Sequence, residues 1–329
     1  MQQLFIINPA AGKTDASVVL VPQIQAAAAR AGVDVQIEVT RSRGHARQLA
    51  EAAAASGEEV HIYAAGGDGT MNEVLQGAAN HPNIAVGCIP CGSGNDYVRN
   101  FGAAGQAPFL DFAAQLQAQP CRVDLLQTSL GIGIDICAAG LDAQVAYGIP
   151  KFRRLPGCGG TAAYTLSILQ AMLSRFGHKL RVAIDGKEYT GTYMMAAICN
   201  GGYYGGGYQA APYAAMDDGL LDIVLVKPIS RIQVAGILAK YKAGRHMQDA
   251  DTIVPEFRSF MTFYRARSVE MQVLDNRPII ATIDGECAPV MELKAEVLPS
   301  ALNVLLPRPA CGSAAIRGLY ECPMQAKAK

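Results

Sequence analysis

The sequence of 329 residues predicts an α/β domain followed by a second domain made mostly of antiparallel β-strands. Two observations lead to this prediction. In about the first 120 residues, short continuous apolar runs alternate with helical segments, which is typical of a parallel sheet covered by helices on both faces. After Val123 the apolar residues alternate singly with polar ones, and Asp185-Gly186 has the composition of a hairpin turn.

The elements follow from these patterns in chain order. The first part is predicted to contain strands at 4–7, 33–39, 60–65 and 84–89, with helices at 17–30, 44–55, 71–79 and from Asp96 onward. The second part is predicted to contain only two helices, at 161–174 and 232–241, and strands at 180–184, 193–199, 221–226, 269–274, 279–283 and 302–306. We therefore expect domains at 1–124 and 125–308. The tail at 309–329 is expected either to pack back on the first domain or to fray.

Composition excludes several classes of protein. Half of the residues are hydrophobic, which excludes a disordered chain. Because 28 basic residues are balanced by 28 acidic ones, no electrostatic excess exists for a phosphate backbone, and we expect no nucleic-acid partner. The N-terminus lacks the pattern of a signal peptide. The charge-free windows are glycine-rich or too short to cross a bilayer, so no transmembrane segment is predicted. A cytoplasmic protein is expected, with peripheral contact at the inner face of the membrane left open.

Two glycine-rich turns follow consecutive predicted strands, at 66–70 and 90–96. Each leads from the carboxyl end of a buried strand into a helix, where unpaired N–H groups and the helix dipole favour an anion. Each turn also carries an aspartate, Asp68 or Asp96. A carboxylate beside a phosphate requires a divalent cation between them, as in phosphoryl transfer. The alternative is that the aspartates cap helices, which suits Asp96 better than Asp68.

Other phosphate and metal motifs fail on detail. Gly12-Lys13-Thr14 resembles the end of a P-loop, but Ile7 stands where that motif requires glycine. The histidines form no ligand-spaced cluster, and no His-Glu-x-x-His motif is present.

In order along most of the chain, the motifs resemble the diacylglycerol kinase catalytic-domain family, in its bacterial soluble lipid kinase branch, which is related to sphingosine and ceramide kinases. Leu141 stands where the family has phenylalanine, and Ser93 where it usually has threonine. The matching segments are Asn8 to Lys13, Thr40 with Gly44-His45-Ala46, Gly66 to Thr70 with Asn72-Glu73, Pro90 to Asp96, Ala139 to Ala143, Asn200 to Asp222, and Ile283 to Glu286.

The resemblance implies an α/β nucleotide-binding domain and a β-sandwich lipid-substrate domain, with the active site in the cleft between them. It implies an ATP- and Mg²⁺-dependent phosphotransferase that passes the γ-phosphate of ATP to a lipid hydroxyl at a membrane surface, with diacylglycerol or a similar lipid as acceptor. A homodimer is left open. Basic and apolar residues are mixed at 151–155 and 240–245, as in interfacial segments; an ordinary solvated surface is the alternative.

Site residues are carried over from the family residue by residue. Glu286 resembles the family's proton acceptor; Asp284 and Asp68 are expected near it, and which of the three is the dominant base stays open. A divalent ion is implied at the loop 215–220, held by the Asp218 carboxylate and the carbonyls of Ala215 and Leu220, with Asp217 as an optional contributor. The residues implied to contact ATP are Asn8, Thr40, Gly66, Gly67, Asp68, Gly69, Thr70, Met71, Asn72, Gly92, Ser93 and Asp96.

Three alternatives remain at this point. One is a kinase for a soluble acceptor, similar to NAD kinases, which share a Gly-Gly-Asp-Gly motif. Another is a domain that senses nucleotide without turnover, which the presence of Glu286, Asp284 and Asp68 disfavours. The third concerns Asp284-Gly285 alone, which has the composition of a plain hairpin turn.

Overall fold

The computed structural model describes residues 1–12, 14–102, 106–155, 160–174 and 176–307. The predicted tail at 309–329 lies outside these residues. The chain divides into two compact units that are interleaved along the sequence. Unit 1 comprises Met1–Leu125, Ala215–Gly219 and the chain from Leu298 onward, and unit 2 comprises Leu126–Ala214 and Leu220–Val297. The chain therefore enters unit 1 three times.

The elements of unit 1 alternate between strand and helix before three short helices. They are β1 (Gln2–Ile7), α1 (Ala16–Ala31), β2 (Gln36–Val39), α2 (His45–Ala55), β3 (Val60–Gly66), α3 (Asp68–Ala78), β4 (Ile84–Pro90), α4 (Asp96–Arg99), α5 (Ala107–Leu110) and α6 (Phe112–Leu116). Strand β5 (Gln119–Thr128) then carries the chain from unit 1 into unit 2.

The sheet of unit 1 is parallel, in the order β2-β1-β3-β4. Every residue of β3 and β4 is buried, as the continuous apolar runs of the sequence predict. Phe5 and Ile7 point toward the apolar face of α1, where they pack with Ile24. Helix α1 ends at Gly32, whose left-handed φ of 65° lets its N–H reach back to the carbonyls of Ala28 and Ala29.

The elements of unit 2 are mostly strands. They are β6 (Gly131–Gly133), β7 (Ile136–Gly140), α7 (Leu141–Arg153), α8 (Gly160–Leu173), β8 (His178–Ile184), β9 (Lys187–Tyr193), β10 (Met195–Cys199), β11 (Tyr203–Tyr204), β12 (Tyr208–Gln209), β13 (Leu221–Val226), α9 (Arg231–Lys242), a 3₁₀ turn (Pro255–Phe257), β14 (Met261–Ala266), β15 (Ser268–Val273), β16 (Ile279–Ile283) and β17 (Glu286–Val290). The long strand β18 (Glu292–Leu306) begins in unit 2 and ends in unit 1.

Unit 2 is a β-sandwich. One sheet has the order β14-β13-β10-β7-β16-β17, with antiparallel pairing throughout. The facing layer consists of β9, β8, β15 and the first part of β18, also antiparallel. Alternate residues of both layers, such as Val182, Ile198, Ile223 and Met271, meet in one buried cluster. The fold class predicted from the sequence is confirmed in both parts.

Several element predictions need correction. Helix α7 (Leu141–Arg153) was not predicted, because Gly148 and Pro150 inside it are residues that usually end helices. The strand predicted at 33–39 begins only at Gln36. The strand predicted at 193–199 is two strands that break at Met194, and the one predicted at 302–306 is the end of the longer β18.

Candidate active site

The two glycine turns lie side by side in unit 1 because β3 and β4 are neighbours in the parallel sheet. Gly66 pairs with Pro90 at the end of both strands, and the Cys91 N–H donates to the Gly66 carbonyl at 2.8 Å. A side chain at Gly92 would meet the Gly67 Cα at 2.5 Å, so the turns approach each other more closely than residues with a Cβ allow.

Asp68 ties the first turn to the second. Its Oδ2 accepts the Asn95 N–H at 2.9 Å and its Oδ1 accepts the Asp96 N–H at 2.8 Å. Burial raises the pKa of the Asp68 carboxyl, while these backbone hydrogen bonds act in the opposite direction. The contact also explains Gly94, where a Cβ would lie 2.5 Å from the Asp68 Oδ2. Asp68 thus acts on the shape of the second turn.

The second turn uses much of its own hydrogen-bonding capacity. The Gly92 N–H donates to the Asn95 side chain at 2.9 Å, and the Asn95 amide donates back to the Gly92 carbonyl at 2.9 Å. Asn95 adopts a left-handed φ of 51°. The N–H groups of Gly92, Asn95 and Asp96 already have acceptors within the protein. Among the described residues of this turn, the N–H groups of Ser93 and Gly94 are therefore the donors that could bind an anion.

Asp96 does not cap its helix. The N-cap position of α4 belongs to Asn95, and no side chain makes a capping hydrogen bond there. Asp96 is instead the first helical residue, and its Oδ1 lies 3.4 Å from the Arg99 Nε. Arg99 also donates to the Gly94 carbonyl, at 3.1 Å from Nη2. The N-capping alternative for Asp96 is therefore wrong, and its carboxylate is paired with a cation.

Asn8 and Thr70 connect the first strand to the first turn. The Asn8 Nδ2 donates to the Thr70 Oγ1 at 3.0 Å, and the Asn8 Oδ1 accepts the Ala10 N–H at 3.0 Å. Thr40 follows the end of β2, where its N–H donates to the Ile7 carbonyl at 2.8 Å. Asn8, Thr40 and Gly66 thus follow or end the three neighbouring strands β1, β2 and β3, at one edge of the sheet.

The remaining predicted ATP contacts also lie in or beside the two turns. Gly67 precedes α3, and the first turns of that helix carry Gly69, Met71 and Asn72. Of these, Met71 and Asn72 are buried, while Gly69 is exposed, as is Ser93 in the second turn. The whole predicted nucleotide set therefore belongs to unit 1, and its roles stay predictions.

Asp124 is a buried carboxylate that the sequence analysis did not select. Its Oδ2 accepts the Gly219 N–H and its Oδ1 accepts the Ser300 N–H, both at 2.7 Å, while its own N–H donates to the Met216 carbonyl at 2.6 Å. All three chain stretches of unit 1 therefore meet at this residue. The only sign of it in the sequence is one acidic residue inside the apolar run that continues to Leu126.

The predicted metal loop lies beside Asp124. Burial raises the pKa of Asp124, and the negative charges of Asp218 and Asp217 raise it further, so three carboxylates share one region of unit 1. Ala215 belongs to the same stretch, and Leu220 directly follows it. Within the described residues, no group of three or more His, Cys, Asp or Glu side chains is arranged to hold a metal. Carboxylate plus backbone carbonyl oxygens nevertheless form a donor set that suits Mg²⁺.

Asp284 and Glu286 lie on the hairpin between β16 and β17 in unit 2. Ile283 pairs with Glu286, so Asp284 and Gly285 form a two-residue turn, with positive φ values of 46° and 93°. The Asp284 Oδ2 accepts the Ile134 N–H at 2.7 Å, and its Oδ1 accepts the N–H groups of Asp135 at 3.1 Å and Ile136 at 3.0 Å. Asp284 therefore forms part of the hairpin turn, and its carboxylate accepts hydrogen bonds from three backbone N–H groups.

Glu286 differs from Asp284 in its surroundings. It begins β17 and is exposed, whereas the Asp284 carboxylate accepts three backbone N–H groups. Asp68 belongs to unit 1 and both other candidate bases belong to unit 2. The role of each as a base stays a prediction.

A second buried polar cluster surrounds Asp142 at the start of α7. Burial raises the pKa of this carboxyl to about 7, against hydrogen bonds from the Ala143 N–H and the Tyr204 hydroxyl. The Tyr204 and Tyr241 hydroxyls lie 3.1 Å apart. The sequence analysis noted Asp142 only as part of a family motif, and the tyrosines gave no signal.

Comparisons with known proteins agree with the motifs. The family model described as the diacylglycerol kinase catalytic domain matches residues 2–128, and the model described as the YegS C-terminal NAD kinase beta sandwich-like domain matches residues 135–306. Among the described residues, no helix is both long enough and apolar enough to span a bilayer.

The similar proteins are named as lipid kinases. A "Diacylglycerol kinase" of Mycobacterium tuberculosis is 30% identical over 285 residues, which cover 84% of this chain and 86% of that protein. A "Probable lipid kinase YegS-like" of Chromohalobacter salexigens is 28% identical over 293 residues, covering 87% and 89%. These names do not favour the NAD kinase-like alternative.

A solved structure shares the fold. The crystal structure of a diacylglycerol kinase from Bacillus anthracis superposes with a TM-score of 0.65 at 20% identity, over 93% of this chain and 97% of that one. The motifs of the sequence, the sandwich of unit 2 and the matched models thus agree. The chain belongs to the diacylglycerol kinase catalytic-domain family of lipid kinases.

Proposed function

We propose that this protein is an ATP- and Mg²⁺-dependent kinase that transfers the γ-phosphate of ATP to a lipid hydroxyl, on diacylglycerol or a similar lipid. The observation that carries the proposal is the pair of glycine turns at the ends of β3 and β4, joined through the Asp68 carboxylate. Close backbones and helix N-termini at adjacent strand ends favour the binding of a polyphosphate.

Backbone groups do most of the phosphate binding in this proposal. The Asp68 carboxylate accepts the N–H groups of Asn95 and Asp96, so the N–H groups of Ser93 and Gly94 are the ones that would bind the phosphate. Asp68 is then a positioning residue for ATP, and not the base. The low charge of the chain, 17% of residues, agrees with anion binding by amides more than by a basic patch.

Mg²⁺, when bound, would neutralise charge on the phosphates and help to hold the loop at 215–220. Asp218 and the carbonyls of Ala215 and Leu220 are the residues that would hold it, with Asp217 beside them. The charges of Asp218 and Asp217 raise the pKa of Asp124, and a cation bound at this loop would offset that repulsion, which supports the assignment.

Glu286 would take the proton from the acceptor hydroxyl, which attacks the γ-phosphorus as the bond to the β-phosphate oxygen breaks. Glu286 is an exposed residue, whereas the Asp284 carboxylate accepts backbone N–H groups. We assign Glu286 as the base and Asp284 as the residue that fixes the hairpin carrying it.

The lipid would be reached at a membrane surface. Leu155 is 49% exposed, Leu169 54% and Leu173 82%, and Lys151 and Arg153 stand in the last turn of α7. Apolar side chains beside basic ones are typical of interfacial helices. In the other predicted stretch, Lys240 is paired with Glu256 at 2.7 Å.

The test uses labelled ATP with Mg²⁺ and a panel of diacylglycerol, ceramide, sphingosine, phosphatidylglycerol and polyprenol. We expect the label to move into the organic phase with at least one lipid. Gly94→Ala should reduce turnover at least tenfold, since its Cβ would displace the Asp68 carboxylate. The matched control is Gly236→Ala in α9, where a Cβ meets nothing within 4 Å. Label that stays in the aqueous phase with every lipid would contradict the proposal.

A further inference from the structure

Arg99 at the end of α4 contacts the second glycine turn, and the kinase chemistry described above gives it no role. Its Nη2 and Nε donate to the Gly94 carbonyl at 3.1 and 3.3 Å. The side chain is 36% exposed, and its Nε also lies 3.4 Å from the Asp96 Oδ1. A charged donor makes a stronger hydrogen bond to a carbonyl than a neutral donor does. Arg99 therefore holds one backbone group of the turn that is proposed to bind phosphate.

The Gly94 carbonyl belongs to the same peptide group as the Asn95 N–H, which the Asp68 carboxylate accepts at 2.9 Å. This peptide bond is trans, so its carbonyl and its N–H point in opposite directions. Arg99 and Asp68 therefore hold the peptide group from its two sides. A rotated peptide group would lose both contacts and would turn its carbonyl oxygen toward the Asp68 carboxylate, where the two oxygens would repel each other.

Gly94 explains why the turn needs to be held. A Cβ at this position would lie 2.5 Å from the Asp68 Oδ2, so a residue with a side chain does not fit. Glycine, however, leaves the backbone torsions freer than any other residue does. Ser93 beside it is exposed, and the N–H groups of these two residues are the proposed phosphate donors. Fixing the peptide group that follows removes part of this freedom before ATP binds, which reduces the entropy lost on binding.

From these contacts we propose that Arg99 is a positioning residue for ATP: with Asp68 it fixes the peptide group that follows Gly94, so that the second turn presents its phosphate donors in one orientation. The inference rests on the proposed function, because it assigns these donors to ATP. The guanidinium acts through the backbone in this role and does not itself bind the phosphate. Neither the motifs of the sequence nor the family resemblance selected this residue.

Isothermal titration calorimetry of the full chain with MgATP, without lipid, tests this role. Arg99→Met removes the donors and should weaken MgATP binding by about fivefold or more, because a hydrogen bond from a charged group is lost at a partly exposed position. Arg99→Lys keeps one charged donor and should bind MgATP more tightly than Arg99→Met does. A purely structural role would instead lower the stoichiometry of binding and leave the dissociation constant unchanged, which would overturn the proposal.

The matched control is Arg30→Met, which lies in the same unit. Arg30 is exposed, and its Nε also donates to a backbone carbonyl, that of Ala26 at 3.2 Å. The control should leave the MgATP affinity within about twofold of the parent protein. Equal losses in Arg99→Met and Arg30→Met would overturn the proposal, and so would equal losses in Arg99→Met and Arg99→Lys.

Adding Asp68→Asn to Arg99→Met separates a shared action on the peptide group from direct contact of Arg99 with phosphate. Residues that hold one group are coupled, so the loss in the double variant should be smaller than the product of the two single losses. Losses that multiply would overturn the proposal. A parent protein that binds MgATP no more tightly than Arg99→Met would contradict this inference alone, whereas a parent protein that does not bind MgATP would contradict the proposed function as well.

Discussion

Unit 2 contains two Asp-Gly hairpins, Asp185-Gly186 and Asp284-Gly285, that are built alike. Both turns have positive φ at both residues, 44° and 80° in the first and 46° and 93° in the second. In each, the aspartate N–H donates at 3.1 Å to the first residue of a neighbouring strand, Ser268 or Ile136, and its carboxylate accepts that residue's N–H in return. The aspartate thereby continues the strand ladder.

The hairpins differ in how the carboxylate is used. Asp185 is exposed and binds mainly through Oδ1, which takes the Arg267 and Ser268 N–H groups at 3.0 and 2.9 Å. Asp284 uses both oxygens, with Ile134 on Oδ2. The comparison teaches that backbone capture by an Asp-Gly turn is a structural device of this fold. What distinguishes the second hairpin chemically is therefore the residue that follows it, Glu286, where the first has Lys187.

The largest expected effect separates the residues that follow the two turns. Glu286→Gln should lower lipid kinase turnover by about 10²–10⁴-fold, because an amide cannot take the proton. The unfolding temperature should not change, since Glu286 is exposed. Lys187→Gln is the corresponding variant in the first hairpin and should keep full turnover. A fully active Glu286→Gln protein would exclude this residue as the base.

Asp284→Asn should destabilise the protein by about 2–4 kcal/mol, because asparagine offers one acceptor oxygen where both carboxylate oxygens bind N–H groups. Asparagine tolerates the left-handed turn, so the conformation itself is not the cause. Urea unfolding monitored by circular dichroism measures the change. A loss below about 0.5 kcal/mol would mean that the backbone does not depend on this carboxylate.

The third prediction concerns His246, because its titration makes the stability of the protein depend on pH, and the two hairpins must be compared at a pH where this effect is absent. Burial lowers the pKa of His246 from 6.5 to about 4 in the folded protein. Between these values the unfolded chain binds more protons, so stability should fall as the pH falls, by about 2 kcal/mol at pH 5. His246→Gln should remove this part of the pH dependence in urea unfolding between pH 7 and pH 5. An unchanged dependence would contradict the assignment to His246.

The smallest effect is expected at the first hairpin. Asp185→Asn should cost less than about 1 kcal/mol, because one amide oxygen can replace Oδ1, which makes the main contacts. The measurement is the same urea unfolding as for Asp284→Asn. Equal losses at the two aspartates would remove the distinction between the hairpins.

Much of the fold was predictable because local pattern and burial agree. The continuous apolar strands β3 and β4 are buried throughout, and both Asp-Gly turns form as their composition predicts. Helix α7 was not predictable in the same way, because its packing outweighs the poor helix propensity of Gly148 and Pro150.

The sequence predicted which residues belong to the candidate site better than it predicted the contacts that they make. Sequence motifs selected Asp68 and Asp284, but they gave no sign that both carboxylates bind backbone N–H groups from segments far away in the chain. Asp124 was missed for the same reason, since its partners Gly219 and Ser300 lie 95 and 176 residues away. Long-range hydrogen bonds of this kind leave no periodic trace in a sequence.

The interleaving of the two units has a consequence for synthesis on the ribosome. The strand segment that pairs with Ala85 and Val86 of β4 is Asn303-Val304, close to the end of the described chain. Until that segment has been synthesised, one edge of the apolar strand β4 has unpaired backbone N–H and C=O groups, and such an edge can pair with another chain and aggregate. The sheet of unit 1 can therefore be completed only after Asn303 and Val304 have been translated, more than 200 residues after β4, so we expect nascent chains to depend on chaperones.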